Sequence, residues 1–104
     1  MKPAKGWLLN ISDLKPGMSH VNITVKVLNA SGSKQVVKSA GVDHEILELE
    51  MGDMSGSIKL VLWDEKIISN LRTGDKIKIE NGFVTSFKGV WRINVGRYGE
   101  AKKV

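Results

Sequence analysis

The 104-residue sequence has no cysteine, which removes disulfides, thiol chemistry and cysteine-ligated zinc. Proline is scarce at two residues, leaving no support for a collagen-like or disordered chain. No apolar run approaches the ~20 residues of a membrane span. Lys2 and Lys5 are not followed by the apolar core of a signal peptide, so a soluble intracellular protein is expected. Catalytic sets are missing too. There is no Ser/His/Asp ordering, Walker-type glycine loop or cluster of metal ligands. His20 and His44 stand without convergent partners, and Asp64-Glu65 fits a helix cap better than a paired-carboxylate site. Neither an enzyme nor a cofactor is expected.

What is present is basic. Sixteen Lys and Arg oppose eleven Asp and Glu, for a net charge of +5 and a pI near 9.6, a balance that favours polyanionic partners. The distribution is uneven. Asn81 to Val104 holds Lys88, Arg92, Arg97, Lys102 and Lys103 against Glu100 alone, whereas Asp43 to Asp53 holds Asp43, Glu45, Glu48, Glu50 and Asp53 with no Lys or Arg.

Most of the chain alternates with the period of a strand. His20 to Asn29 places Val21, Ile23, Val25 and Val27 on one face and Asn22, Thr24 and Lys26 on the other, the pattern of a sheet with one wet side. Asp43 to Met51 sets Leu47, Leu49 and Met51 against Glu48 and Glu50. Gly52 to Gly56 forms a tight hairpin with Gly56 free to take a positive φ. Ser57 to Asp64 then points Ile58, Leu60 and Leu62 inward and Lys59, Val61 and Trp63 outward. Ser12 to Gly17 predicts a capped turn laying Leu9, Ile11 and Leu14 on the core edge, with Trp7 packing nearby. Gln35 to Val42 predicts a long, mobile hairpin loop. Asp64 caps a short helix whose stripe is Ile67, Ile68 and Leu71. In the last strand, Val90 to Val95, Trp91 shares the parity of Ile93 and Val95 and is expected in the core. Gly96 to Val104 predicts a frayed basic tail.

Lys76 to Phe87 holds the feature of most interest. Ile77 and Ile79 point inward, and an unbroken alternation would send Phe83 inward with them. Asn81-Gly82 predicts a bulge that shifts the register by one, turning Phe83, Thr85 and Phe87 outward and Val84 inward. Three strands, a short helix and two more strands close most naturally into a barrel, since closure removes bare edges. The expected fold is therefore all-β, a five-stranded oligonucleotide/oligosaccharide-binding (OB) barrel with a short helix between strands three and four. It would form a single domain over 1–104 with a core at about 12–97. An SH3-like barrel is the competitor, but it lacks that helix.

The runs "LKPGMSHVNITVKVLNAS", "GDMSGSIKLVLWD", "TGDKIKIENGFVTSFKG" and "INVG" resemble the archaeal single-stranded DNA-binding proteins with one OB domain, which are replication protein A-like, and the single-OB subunit of the eukaryotic SOSS complex. The likeness spans residues 12–97 in order. It implies that Trp63, Phe83 and Phe87, all aromatic here as in the family, stack on bases. Asn94 stands where the SOSS-type subunit has a further aromatic, the sequence ends at Val104 without the family's long acidic tail, and the 43–51 segment is unusually acidic.

Beside those rings, Lys26, Lys59, Lys88 and Arg92 are placed to meet phosphates, and Thr85 and Asn94 to bond sugars or base edges. The expected partner is single-stranded DNA, or RNA if the barrel reads a 2′-hydroxyl. The protein is expected to be a cytoplasmic, nucleoid-associated monomer that meets replication or repair proteins and no membrane. The alternatives are an RNA- or tRNA-binding OB domain and one whose exposed aromatics anchor a protein partner.

Overall fold

The computed structural model describes residues 9–30 and 34–104; Trp7 lies outside them. Among the described residues there are seven strands: β1 (Val21–Asn29), β2 (Lys34–Ser39), β3 (Val42–Asp53), β4 (Gly56–Trp63), β5 (Lys76–Phe87), β6 (Val90–Val95) and β7 (Glu100–Lys103). Five of them form a ring, in which β1 pairs with β3, β3 with β4, β4 with β6, β6 with β5, and β5 with β1 again. Only the β4–β6 pairing is parallel. This is the expected barrel, with β2 and β7 added outside the ring.

The alternation seen in the sequence sets the core. Val21, Ile23, Val25 and Val27 meet Leu49, Met51, Leu60, Leu62, Ile77, Ile79, Val84, Ile93 and Val95, all buried in one cluster. Each such side chain withdrawn from water stabilises the fold by about 1.5–3 kcal/mol. Ile11 and Leu14 close one end from a 3₁₀ turn at Ile11–Asp13.

Several expectations are corrected. Residues 34–42 are not a loop. β2 pairs with the first half of β3 across a turn at Ala40 and Gly41, whose φ values of 53° and 78° suit a two-residue hairpin. Gly56 does not carry the β3–β4 turn through a positive φ. Instead one carboxylate oxygen of Asp53 accepts from the Ser55 amide (2.7 Å), the Ser55 hydroxyl (2.6 Å) and the Gly56 amide (3.2 Å), and the other accepts from Ile11 (2.8 Å). Residues 98–104 are not a frayed tail, because β7 pairs with β5 from Ile77↔Lys103 to Glu80↔Glu100.

The helix is reduced to one 3₁₀ turn at Asp64–Lys66, after which Ile67, Ile68 and Leu71 pack on the core from irregular backbone. Asp64 does not cap that turn. Its own φ is 51°, and its carboxylate reaches back to β3, accepting from His44 Nδ1 (2.7 Å) and the Glu45 amide (3.0 Å). Trp91, expected in the core, is 45% exposed. Its parity is right, but it lies near the tip of the β5–β6 hairpin, paired with Ser86, and borders an open cleft with Ile11, Leu14 and Ile58 instead of entering the core.

Candidate nucleic-acid interface

The bulge in β5 is present and decides the site. Opposite β1, Val21 pairs with Gly82 and Ile23 with Ile79, so three steps of β5 answer two of β1. Asn81 supplies the irregular backbone with φ 58°, and its amide donates to Asn22 Oδ1 (3.0 Å). Gly82 serves closeness, since a Cβ there would lie 3.1 Å from the Asn94 carbonyl oxygen and 3.1 Å from Ile79 Cγ2. Past the bulge Val84 is buried, while Phe83 (38%) and Phe87 (65%) are exposed.

β6 lies between β4 and β5 and joins their outward residues. Phe83 is opposite Asn94, Thr85 opposite Arg92, and Phe87 opposite Val90. On the other side Arg92 is in register with Lys59 and Asn94 with Val61. Phe83 and Phe87, four residues apart on one strand, stand about 13 Å from each other at the usual ~3.3 Å rise.

Trp63 ends β4 on the same outer face and is partly buried. Its Nε1 donates to Asn94 Oδ1 at 3.2 Å, and the His44 ring meets it edge-on with centroids 5.6 Å apart. The hydrogen bonds from His44 and the Glu45 amide hold the Asp64 carboxyl below the ordinary carboxylate range, so His44 is anchored against a fixed negative charge.

Asn94 is 5% exposed, and its Nδ2 donates to Thr85 Oγ1 at 3.0 Å. The buried Asn94 side chain thus links the Trp63 indole to Thr85, which is itself exposed. Val61 is buried although it faces outward and lies outside the core cluster. It forms a floor between Asn94 and Glu48, its neighbours on β6 and β3.

The four cations are placed differently. Lys88 sits at the tip of the β5–β6 hairpin, where it and Gly89 have φ 53° and 78°, and its ammonium lies 5.4 Å from the Phe87 ring centroid. Lys59 is half-buried on the outer face of β4, opposite Glu50. Arg92 is ion-paired through Nε with Glu48, each side chain being 25% exposed. Lys26 is not brought to this face. It lies on β1 opposite Lys76, beside the other half of β5.

One residue escaped the sequence reading. Tyr98, 80% exposed, borders a cleft of about 160 Å³ with Phe83, His20 and Arg97. Its signal was the only tyrosine in the chain, set between Arg97 and Gly99.

A closed five-stranded barrel with one parallel junction between β4 and β6 is an OB fold. Residues 14–103 match the family described as single-stranded DNA binding protein Ssb-like, OB fold, and the chain belongs to that family. It is 42% identical over 86 residues to the single-stranded DNA binding protein Ssb of Saccharolobus solfataricus, covering 83% of this chain but 57% of that protein. The chain thus spans little more than half of that relative's length. Among solved structures, a replication factor A related protein from Methanobacterium thermoautotrophicum superposes with a TM-score of 0.76 at 22% identity, covering 100% of this chain and 96% of that one. The OB domain of a Thermoplasma acidophilum protein gives 0.76 at 20% identity, covering 92% and 85%. Both confirm the fold.

Proposed function

We propose that this chain binds single-stranded DNA with little sequence preference and acts in replication, recombination or repair. Bases stack on Trp63, Phe83 and Phe87, and Lys59, Lys88 and Arg92 meet phosphates. The observation that carries this reading is the bulge at Asn81, which presents Phe83 and Phe87 together on the outer face. Any unpaired base offers a flat face to such rings, whereas a duplex hides it, so single strands are preferred. The Saccharolobus relative, named a single-stranded DNA binding protein, supports the same partner.

Three stacks contribute about 3–9 kcal/mol at about 1–3 each, less the cost of ordering the strand. Micromolar affinity requires about 8 kcal/mol, so the phosphate contacts are needed as well. Three of them give a slope of log affinity on log salt of about −2, at about −0.7 per phosphate.

The test is a tryptophan-fluorescence titration with single-stranded oligo-dT at two salt concentrations on wild type, Trp63→Ala and Phe87→Ala. Each variant is expected to bind about fivefold or more weakly. Wild-type affinity in both would remove the platform. A parallel titration with oligo-U reports RNA preference.

A further inference from the structure

Gly96 to Gly99 turns the chain from β6 into β7, closed by the Gly99 amide on the Gly96 carbonyl at 3.1 Å. This turn is packed onto the bulge that sets Phe83. A Cβ at Gly99 would lie 3.1 Å from the Asn81 carbonyl oxygen and 3.2 Å from that of Glu80, and one at Gly96 would lie 3.5 Å from the Phe83 ring. Asn81 Nδ2 donates to the Tyr98 carbonyl (3.0 Å), and its Oδ1 accepts from His20 Nδ1 (2.8 Å). His20 and Asn81 both hold positive φ, 56° and 58°, a conformation that residues with a Cβ seldom adopt. These two residues, bonded to each other, border one cleft and fix its wall.

An exposed tyrosine alone is ordinary surface. Here the backbone of the exposed ring is fixed to the same bulge as Phe83, and both line a cleft of about 160 Å³. That is below the roughly 300 Å³ at which drug-sized pockets begin, a size that suits one flat heterocycle rather than a longer ligand. Arg97 Cζ lies 5.7 Å from the Tyr98 centroid, a cation–π distance, which holds a guanidinium at the cleft mouth.

We propose that this cleft is an additional nucleobase subsite. One base beyond those on the platform enters between Phe83 and Tyr98, and Arg97 meets its phosphate. The subsite rests on the single-stranded DNA reading above and extends the strand's path past Phe83 towards β7.

The probes are oligo-dT strands of about 3 to 8 nucleotides, bracketing the ~4 or more that one OB barrel covers, measured by fluorescence anisotropy. In wild type, affinity rises with each added base until the cleft is filled. Tyr98→Ala is expected to lose that last increment, about fivefold or more for the longer strands, while the shortest bind as in wild type. Tyr98→Phe keeps the ring and is expected to stay within about twofold, because the stack needs only the π-face. The proposal is overturned if Tyr98→Ala matches wild type at every length, or if Tyr98→Phe is as weak as Tyr98→Ala. Losses in Trp63→Ala and Phe87→Ala with none in Tyr98→Ala remove only the subsite, and no loss in those two removes the platform itself.

Discussion

Replacing Glu48 by Gln is expected to tighten single-stranded DNA binding. Arg92 lies in the middle of the platform, between Lys59 and Thr85, yet its guanidinium is paired with Glu48 across β4. A phosphate reaching Arg92 must displace a carboxylate already there. An ion pair whose partners are each a quarter exposed is worth about 1 kcal/mol at most. Glu48→Gln removes that competition and should strengthen binding by about fivefold at low salt. The salt slope should stay near about −2, because Arg92 is already one of the three phosphate contacts and only its competitor is removed. The assay is anisotropy with oligo-dT at several salt concentrations, with two controls. Glu50→Gln, opposite Lys59, accounts for the general gain from deleting a negative charge. Glu48→Gln in an Arg92→Ala background closes a double-mutant cycle, in which the gain should vanish. No gain beyond that of Glu50→Gln, or the same gain with Arg92 absent, would refute competition at this arginine.

Other expectations concern the parts that hold the site. Gly82→Ala places a Cβ 3.1 Å from backbone and side-chain atoms of neighbouring strands and should cost about 1–3 kcal/mol in urea denaturation. Asn81→Ala, with φ 58°, should lose about 1–2 kcal/mol, and Asn81→Gly should recover part of it by relieving the backbone without restoring the His20 bond. Trp63→Phe retains a ring but not the bond to Asn94, so it should bind more tightly than Trp63→Ala and less tightly than wild type in the oligo-dT titration. For Asp53, burial raises the pKa, but the Ser55 hydroxyl and the amides of Ile11, Ser55 and Gly56 outweigh it and hold the carboxyl below 3.8. On acidification the unfolded chain takes up this proton first. The stabilisation is therefore complete well above pH 3.8 and is lost as pH falls through that value towards the lower folded one. Asp53→Asn should show a shallower acid limb in thermal melts against pH.

Where hydrophobic alternation ran through a strand of the ring, the sequence disclosed both strand and inward face, as at Val21 to Val27 and Ile58 to Leu62. The bulge was legible because Asn-Gly interrupts an otherwise regular pattern. It is Asn81, however, that takes the positive φ, and Gly82 that makes room. β2 and β7 were missed because both lie outside the ring and bury little, so neither has an apolar face to show. Trp91 exposes a different limit: parity names the face of a sheet but not whether that face is filled, and here it borders an open cleft. The apolar stripe at Ile67, Ile68 and Leu71 does pack on the barrel, though without a helix. The buried Asn94 and the Arg92–Glu48 pair join residues on three strands and follow only from register. Lys26 alternated correctly and sits outward, but on the wrong side of the ring to join Phe83.

The ring has one parallel junction, the short ladder from Lys59↔Arg92 to Leu62↔Val95. Parallel pairing is slightly weaker per residue than antiparallel, so this is the seam at which the barrel closes. Trp63 belongs to one lip, and Asn94 and Phe83 belong to the other, with the indole–amide bond adding a side-chain tie to the backbone ladder and the Arg92–Glu48 pair. A strand of DNA lying across Trp63 and Phe83 is then also a clasp. Closing the barrel and holding the ligand become linked equilibria, worth about 2.7 kcal/mol of added stability at a hundred times the Kd. That protection should appear first as slowed amide exchange along β4 and β6.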